Sequence, residues 1–362
     1  MSAAIDHSDR LATPFLAADI GGTHARVALI QAVGDDALGV EVLAYRKFAC
    51  ADFPGPAELL RAFVDGDARA PVRRCVLACA GQVMGDEVLN DNSAWPIHLA
   101  QLRQALELDE IAVLNDFEAL AYALDNHLAR SGRLLCGPDI PADGPAVVIG
   151  PGTGLGAAVR LPGPAGGQVL TTEAGQTDFA PNSVREREVL AHLAPHGGYM
   201  AYEQIVSGPG LLTLYTALCE LNGKTPTLAA PRAVTAAAAA GSDAQAVEAV
   251  EIFCASLGSF AGSLAMTFMT GRVYLAGGFL YSMFPLLERS AFASRFLHGR
   301  SARAFLAKVP VWVTEHDRNG VLGAATWYLR SVHDEAAPRD GVSKGSVSRH
   351  DRNPMHREAK TP

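Results

Sequence analysis

A chain of 362 residues is long for one core, so two domains are the default expectation. Hydrophobic residues make up 49% and charged residues 19%, a soluble globular balance, and the net charge of −8 argues against a nucleic-acid or anionic-membrane surface as partner. No run reaches the roughly 18 to 20 apolar residues needed to cross a bilayer, and the start has neither the cationic nor the apolar region of a signal peptide, so the expected compartment is the cytoplasm.

Residues 1–12 form an expected loose tail. "FLAADIGGTHARVALI" (Phe15–Ile30) then places a Gly-Gly-Thr turn between two apolar runs, the pattern of a buried hairpin. "RCVLACAG" reads as a strand with Cys75 and Cys79 on one face. These two, with Cys50, Cys136, Cys219 and Cys254, show no C-x-x-C pair or zinc spacing and read as reduced core residues. "IAVLNDFEALAYALDNHL" begins as a strand and becomes a helix after Asn115-Asp116, with Phe117, Leu120, Ala121 and Leu124 as its apolar stripe. Asn115 and Asp116 are strong N-cap types, and capping explains them as well as chemistry does.

"AVVIGPGTGLGAAVRL" (Ala146–Leu161) repeats the strand, glycine turn, strand pattern of Phe15–Ile30. The repetition suggests two related lobes facing one cleft, with chance likeness of glycine-rich hairpins as the rival. "GTGLGA" within it satisfies the relaxed dinucleotide pattern, but Pro162 follows too soon for the helix that pattern needs, so a second strand is expected. "NGKT" (Asn222–Thr225) imitates the end of a Walker A loop, yet Leu218 stands where its first glycine belongs. The following stretch, Arg232 to Met269, is helix-rich, with Gly241-Ser242-Asp243 as a break and restart. Residues 333–362 are polar and are expected to lie outside the fold.

Exposed amides in the two glycine turns suit an anion, and Thr23 and Thr153 add hydroxyls at matching places. Phosphoryl transfer to a hydroxyl wants a carboxylate to take its proton, a role that Asp116 suits, while Asp19 could hold Mg²⁺ through water. Glu173 in "TTEAGQTDF" and Glu203 in "AYEQIVSGPG" are either acceptors for sugar hydroxyls or solvated loop residues.

The segments "ADIGGTHARVAL", "LNDFEALA", "GPGTGLGAA", "EAGQTDFAPNS", "YEQIVSGPGLLTLY", "YLAGGF" and "GVLGAA" occur in the order that resembles the bacterial glucokinases of the hexokinase, actin-like ATPase superfamily. The resemblance runs from about Phe15 to Arg330. It implies an α/β, two-domain actin-like ATPase fold with a ribonuclease-H-like core. The small domain would be 13–126 plus 318–332 and the large domain 127–317, with a cleft between them for a hexose and ATP. It assigns Ala18, Asp19, Ile20, Gly21, Gly22 and Thr23 to the first phosphate loop. Gly152, Thr153, Gly154 and Gly156 fall in the second, and Gly277 and Gly278 on the nucleotide side. It makes Asp116 the general base, with Asn92, Asn115, Glu173, Gln176 and Glu203 on the sugar. ATP and Mg²⁺ are the implied cofactors, glucose the implied substrate, and a homodimer is left open.

Three positions depart from the family pattern, which usually reads E-G-G-H where this chain has Glu173-Ala174-Gly175-Gln176. Gln176 replaces a histidine and cannot become cationic, Ala174 replaces a glycine, and His24 stands where asparagine is common. The alternatives are therefore a kinase for another hexose or an amino sugar, or a weakly active sugar-binding regulator.

Overall fold

The apolar run Phe15–Ile20 becomes strand β1, and all six residues are buried. A strand covered on both faces needs no polar alternation. In this computed structural model the described residues are 12–34, 39–68, 71–89, 95–124, 132–140, 143–163, 167–299, 301–315 and 318–336. The boundary expected at 126/127 and most of both expected tails lie outside them.

β1 turns through Gly21-Gly22-Thr23 into β2 (His24–Val33), antiparallel, with Phe15 opposite Ile30 and Asp19 opposite Arg26. β3 (Gly39–Ala49) extends this edge, while β4 (Arg74–Cys79) and then β8 (Glu110–Asn115) add in parallel on the other side of β1. β5 (Gln82–Met84), β6 (Glu87–Leu89) and β7 (Ile97–His98) form a separate three-stranded sheet. The second large sheet contains β9 (Arg133–Cys136), β10 (Ala146–Pro151), β11 (Leu155–Leu161), β12 (Gln168–Thr172), β13 (Arg272–Ala276) and β14 (Val311–Thr314). Its order, β12-β11-β10-β13-β14-β9, reproduces the first sheet's β3-β2-β1-β4-β8 and adds β9 at the edge. The similarity of the two glycine turns is thus carried by two hairpins in equivalent places. After the second turn the chain continues as a strand, as Pro162 requires.

Each sheet's last parallel strand leads into a helix that packs on the other sheet. The helix Asp116–Ala123 follows β8, yet Leu120, Ala121 and Ala123 cluster with Ala146, Val148, Ala158 and Tyr274 of the second sheet. The helix Asn319–Ala336 comes after β14, yet Val321, Ala324, Ala325, Tyr328 and Leu329 cluster with Phe15, Ala17, Ile30, Val76 and Ala78 of the first. The two helices cross at Gly323, where a Cβ would lie 1.7 Å from the Ala119 carbonyl oxygen. The second helix runs to Ala336, so residues 333–336 of the expected tail are helical.

The largest core lies on the outer face of the second sheet, under the helices Gly208–Leu221, Pro231–Ala240 and Ala244–Thr267. "NGKT" is the end of the first of these. Asn222 caps it, Gly223 takes φ 67°, and the Lys224 amide returns to the Cys219 carbonyl at 2.8 Å. Gly241 ends the second in a left-handed conformation, and Asp243 Oδ1 caps the third by accepting from the amides of Gln245 and Ala246. That third helix corrects the expectation that no segment is apolar enough for a bilayer. With 24 residues it qualifies by length and composition, but most of it is buried. It is apolar nearly all round because neighbouring elements cover it on several sides. Gly258 and Gly262 even let it approach the backbone of Phe292 and Phe296.

Replacing Gly323 by alanine should cost at least ~2 kcal/mol, because backbone on both helices must separate to admit one methyl group. Urea denaturation measures this; an unchanged midpoint would show that the crossing tolerates a Cβ.

Candidate active site

The first glycine turn is tied down from two sides. The Gly21 amide donates to the His24 carbonyl at 3.1 Å, and the Cys50 amide donates to the Thr23 carbonyl at 2.9 Å. Strand alternation sorts the residues before it. Ala18 and Ile20 point into the core beneath the first sheet, so only their backbone is available to a ligand. Asp19 points to the opposite face. It lies 3.4 Å from Arg26 Nη1 and against Gly320, where a Cβ would be 2.5 Å from Asp19 Oδ2. Gly320 belongs to "RNGVLGAA", but its contact with Asp19 is visible only once the helix Asn319–Ala336 is placed.

The second turn is built differently. The Gly152 amide donates to the Gly154 carbonyl and the Gly208 amide to the Gly152 carbonyl, each at 2.8 Å. Gly150 and Gly156 face each other across the β10–β11 ladder and lie beneath the Phe117 ring. A Cβ at Gly156 would sit 2.0 Å from that ring, so Gly156 serves packing between the hairpin and the Asp116 helix. By contrast, among the described residues nothing beyond the adjoining backbone lies within 4 Å of a Cβ at Gly152 or Gly278. The space in front of those two glycines is open to a ligand.

Asn115 does cap its helix: Oδ1 accepts from the amides of Phe117 at 2.9 Å and Glu118 at 3.2 Å. The cap commits the oxygen, so the Nδ2 amide is what Asn115 offers a ligand. Capping and site membership are therefore compatible. Asp116 begins the helix with Oδ1 accepting from the Phe117 amide at 3.0 Å. Burial, then the Asp19 carboxylate and, more weakly, Glu173 raise its carboxyl to about 7, against the opposing pull of backbone amides. The same surroundings push the neighbouring Cys79 thiol to about 12, through burial and then the carboxylates of Asp116 and Asp19.

Glu173 precedes a single 3-10 turn, Ala174–Gln176. Ala174 does not have a positive φ, so alanine there brings no backbone strain. Gly175 is required, since a Cβ would lie 2.0 Å from the Leu155 carbonyl oxygen. Glu203 joins this turn to the second glycine turn. Its Oε2 accepts from the Leu155 amide at 2.7 Å and its Oε1 from Gln176 Nε2 at 3.0 Å. The Tyr199 hydroxyl donates to the Gln176 carbonyl. Asn92 lies outside the described residues.

Gly277 has φ 134° and leads from β13 into the short helix Gly278–Ser282. Gly278 lines a cavity of about 590 Å³ together with Arg232, Thr235, Phe279, Met283 and Arg289, a volume in the range of small-ligand sites. Arg232 and Tyr199 are residues that sequence reasoning does not single out. An exposed arginine after a helix-starting proline carries no signal of its own. His24 is held below its usual range by burial and then by Lys47, Arg26 and Arg232. Arg232 thus acts on the first glycine turn from the far side of the site.

A carboxyl brought to near-neutral basicity, close to two glycine turns on matched hairpins, defines an α/β phosphotransferase-type site, and the fold is that of glucokinases and ROK sugar kinases. The glucokinase family model matches residues 16–331, and the chain belongs to that family. A glucokinase-like protein of Xylella fastidiosa is 41% identical over 317 residues, covering 87% of this chain and 94% of the relative. A glucokinase of Paramagnetospirillum magneticum is 36% identical, covering 86% and 96%. The crystal structure of a glucokinase from an Antarctic psychrotroph has a TM-score of 0.73 at 29% identity, covering 87% and 98%.

The raised Asp116 carboxyl has a cost in stability with a definite sign. Between its ordinary value of 3.8 and about 7, the folded chain holds a proton that the unfolded chain releases. Stability from this group is therefore present at low pH and lost as pH rises through about 7. Asp116→Asn should be more stable than wild type at pH 8 by a few kcal/mol, since each tenfold change in proton affinity is worth ~1.4 kcal/mol, with the gain shrinking towards pH 4. Denaturant titrations at both pH values check this; the same difference at each would exclude the electrostatic cause.

Proposed function

We propose that the chain is an ATP-dependent hexose kinase that transfers the γ-phosphoryl group to the 6-hydroxyl of D-glucose, with Asp116 as general base. The observation that carries this reading is the Asp116 carboxyl, held near neutral basicity beside Asp19 and Glu173. A base with that pKa takes a hydroxyl proton at neutral pH and still carries negative charge beforehand. In the proposed step the sugar oxygen bonds to the γ-phosphorus as its proton passes to Asp116. The bond from that phosphorus to the bridging oxygen breaks, and ADP leaves.

The open space at Gly152 and Gly278 suits a polyphosphate chain and the base end of a nucleotide, with the 590 Å³ cavity beside Arg232 receiving the latter. Glu173, Gln176, Glu203 and the Nδ2 amide of Asn115 supply polar partners for the sugar. Among the described residues no three acidic, histidine or cysteine side chains converge as a metal cage. This fits Mg²⁺, which is commonly held by one or two carboxylates together with substrate phosphates, and Asp19 is the carboxylate for that role here. When bound, the ion neutralises charge on the transferred group. In this reading residues 13–126 with 318–332, and residues 127–317, are two lobes that enclose the substrates in a cytoplasmic enzyme.

Asp116→Ala should lower kcat by about 10²–10⁴-fold while nucleotide affinity is retained. In the wild type, kcat should rise with pH through about 7 as Asp116 loses its proton. A coupled ADP-release assay with nucleotide titration measures both. Near-normal turnover of the variant would overturn the assignment of the base.

A further inference from the structure

The acceptor side of the site has a polarity that can be deduced atom by atom. An ionised carboxylate only accepts hydrogen bonds, so the Gln176 atom 3.0 Å from Glu203 Oε1 must be its amide nitrogen. That fixes the other end of the side chain as the carbonyl oxygen. The Tyr199 hydroxyl is 3.4 Å from this oxygen but donates to the Gln176 backbone carbonyl instead. Gln176 is exposed, and its carbonyl is the group it still offers to a ligand.

The surrounding groups have the same character. Glu203 is partly buried, and its Oε2 is held by the Leu155 amide. Glu173 stands three residues before Gln176 on the same 3-10 turn. Asp116 feels both Asp19 and Glu173 as repelling charges. A ligand ring lying between Asp116 and Gln176 therefore meets acceptors and negative charge. A hydroxyl satisfies one such acceptor with its single proton, whereas an ammonium brings three donors and a positive charge.

We propose that this site, taken as the sugar site of a hexose kinase, accepts a hexose with an ammonium group in place of one ring hydroxyl, the ammonium donating to Gln176 Oε1 in the field of Glu203 and Glu173. The proposal rests on the hexose-kinase reading and adds a substrate class to it. A suitable probe is 2-amino-2-deoxyglucose, because C2 lies across the pyranose ring from C5, which carries the phosphorylated arm. 2-Deoxyglucose is the matching probe with nothing at that position.

Isothermal titration of the full chain with glucose, 2-amino-2-deoxyglucose and 2-deoxyglucose tests this without requiring turnover. A charge-assisted hydrogen bond is worth roughly tenfold or more in affinity. The amino sugar should therefore bind within about threefold of glucose and at least about tenfold more tightly than 2-deoxyglucose. Gln176→His places an imidazole against Glu203, where a carboxylate favours the protonated ring, which donates only. Because Gln176 is exposed, the variant should fold. Its affinity for the amino sugar relative to glucose should fall by about tenfold. Tight glucose binding with the amino sugar no better than 2-deoxyglucose, or an unchanged ratio in Gln176→His, would overturn the proposal alone. Failure of the wild type to bind any of the three would overturn the hexose-kinase reading as well.

Discussion

The close crossing of two helices at Ala119 and Gly323 is the contact on which the rest of the structure depends. Each helix leaves one large sheet and completes the core of the other, so neither sheet buries its inner face with local sequence alone. A peptide carbonyl occupies the volume of a missing side chain at the centre of this exchange. Asp116 stands one turn before Ala119 and Gly320 one turn before Gly323. The two chain segments that bring carboxylate and helix start to the site are thus fixed by the same contact. The Phe117 ring, lying over Gly150 and Gly156, then sets the second hairpin against the helix that carries Asp116.

The site concentrates negative charge, and the structure handles each carboxylate differently. Asp19 has a cation directly across the ladder, in Arg26. Glu203 has an amide on each oxygen. Asp116 has backbone amides only, and burial beside other carboxylates raises it to about 7, so that it is about half ionised near neutral pH. Three acids within one region therefore have three different surroundings without any need for a different kind of acid. This is an arrangement typical of sites where one acid moves a proton and the others hold charge.

Much of this is legible in the sequence where a local rule applies. The two hairpins follow from apolar runs flanking glycine turns, the strand after the second turn from Pro162, and the cap at Asn115 from its residue type. "NGKT" lacks the first glycine of a phosphate loop, and in the fold it is a helix end. What is not legible depends on distant partners. Nothing near Gly156 says that its hydrogen faces Phe117, and nothing near Gly175 says that it lies on the Leu155 carbonyl. The exchange of helices between sheets has no local sequence signal, because an amphipathic stripe does not specify which sheet it covers; only the family resemblance groups 318–332 with the first sheet. The long apolar helix Ala244–Thr267 gives a weak signal because its alanines, glycines and serines dilute the hydrophobicity of any short run.

The position of Cys79 has a consequence for the chemical durability of the protein. It ends β4 next to the two acids of the site, and those acids, with burial, leave its thiol almost wholly protonated at physiological pH. Cys50, whose amide anchors the first glycine turn, is shifted in the same direction by burial, against the pull of Arg26 and with a smaller push from Asp19. Electrophiles and oxidants react with thiolates far faster than with thiols. The burial that makes Asp116 basic therefore also keeps the sulfur atoms beside it protonated, and the site combines a proton acceptor with thiols of low reactivity.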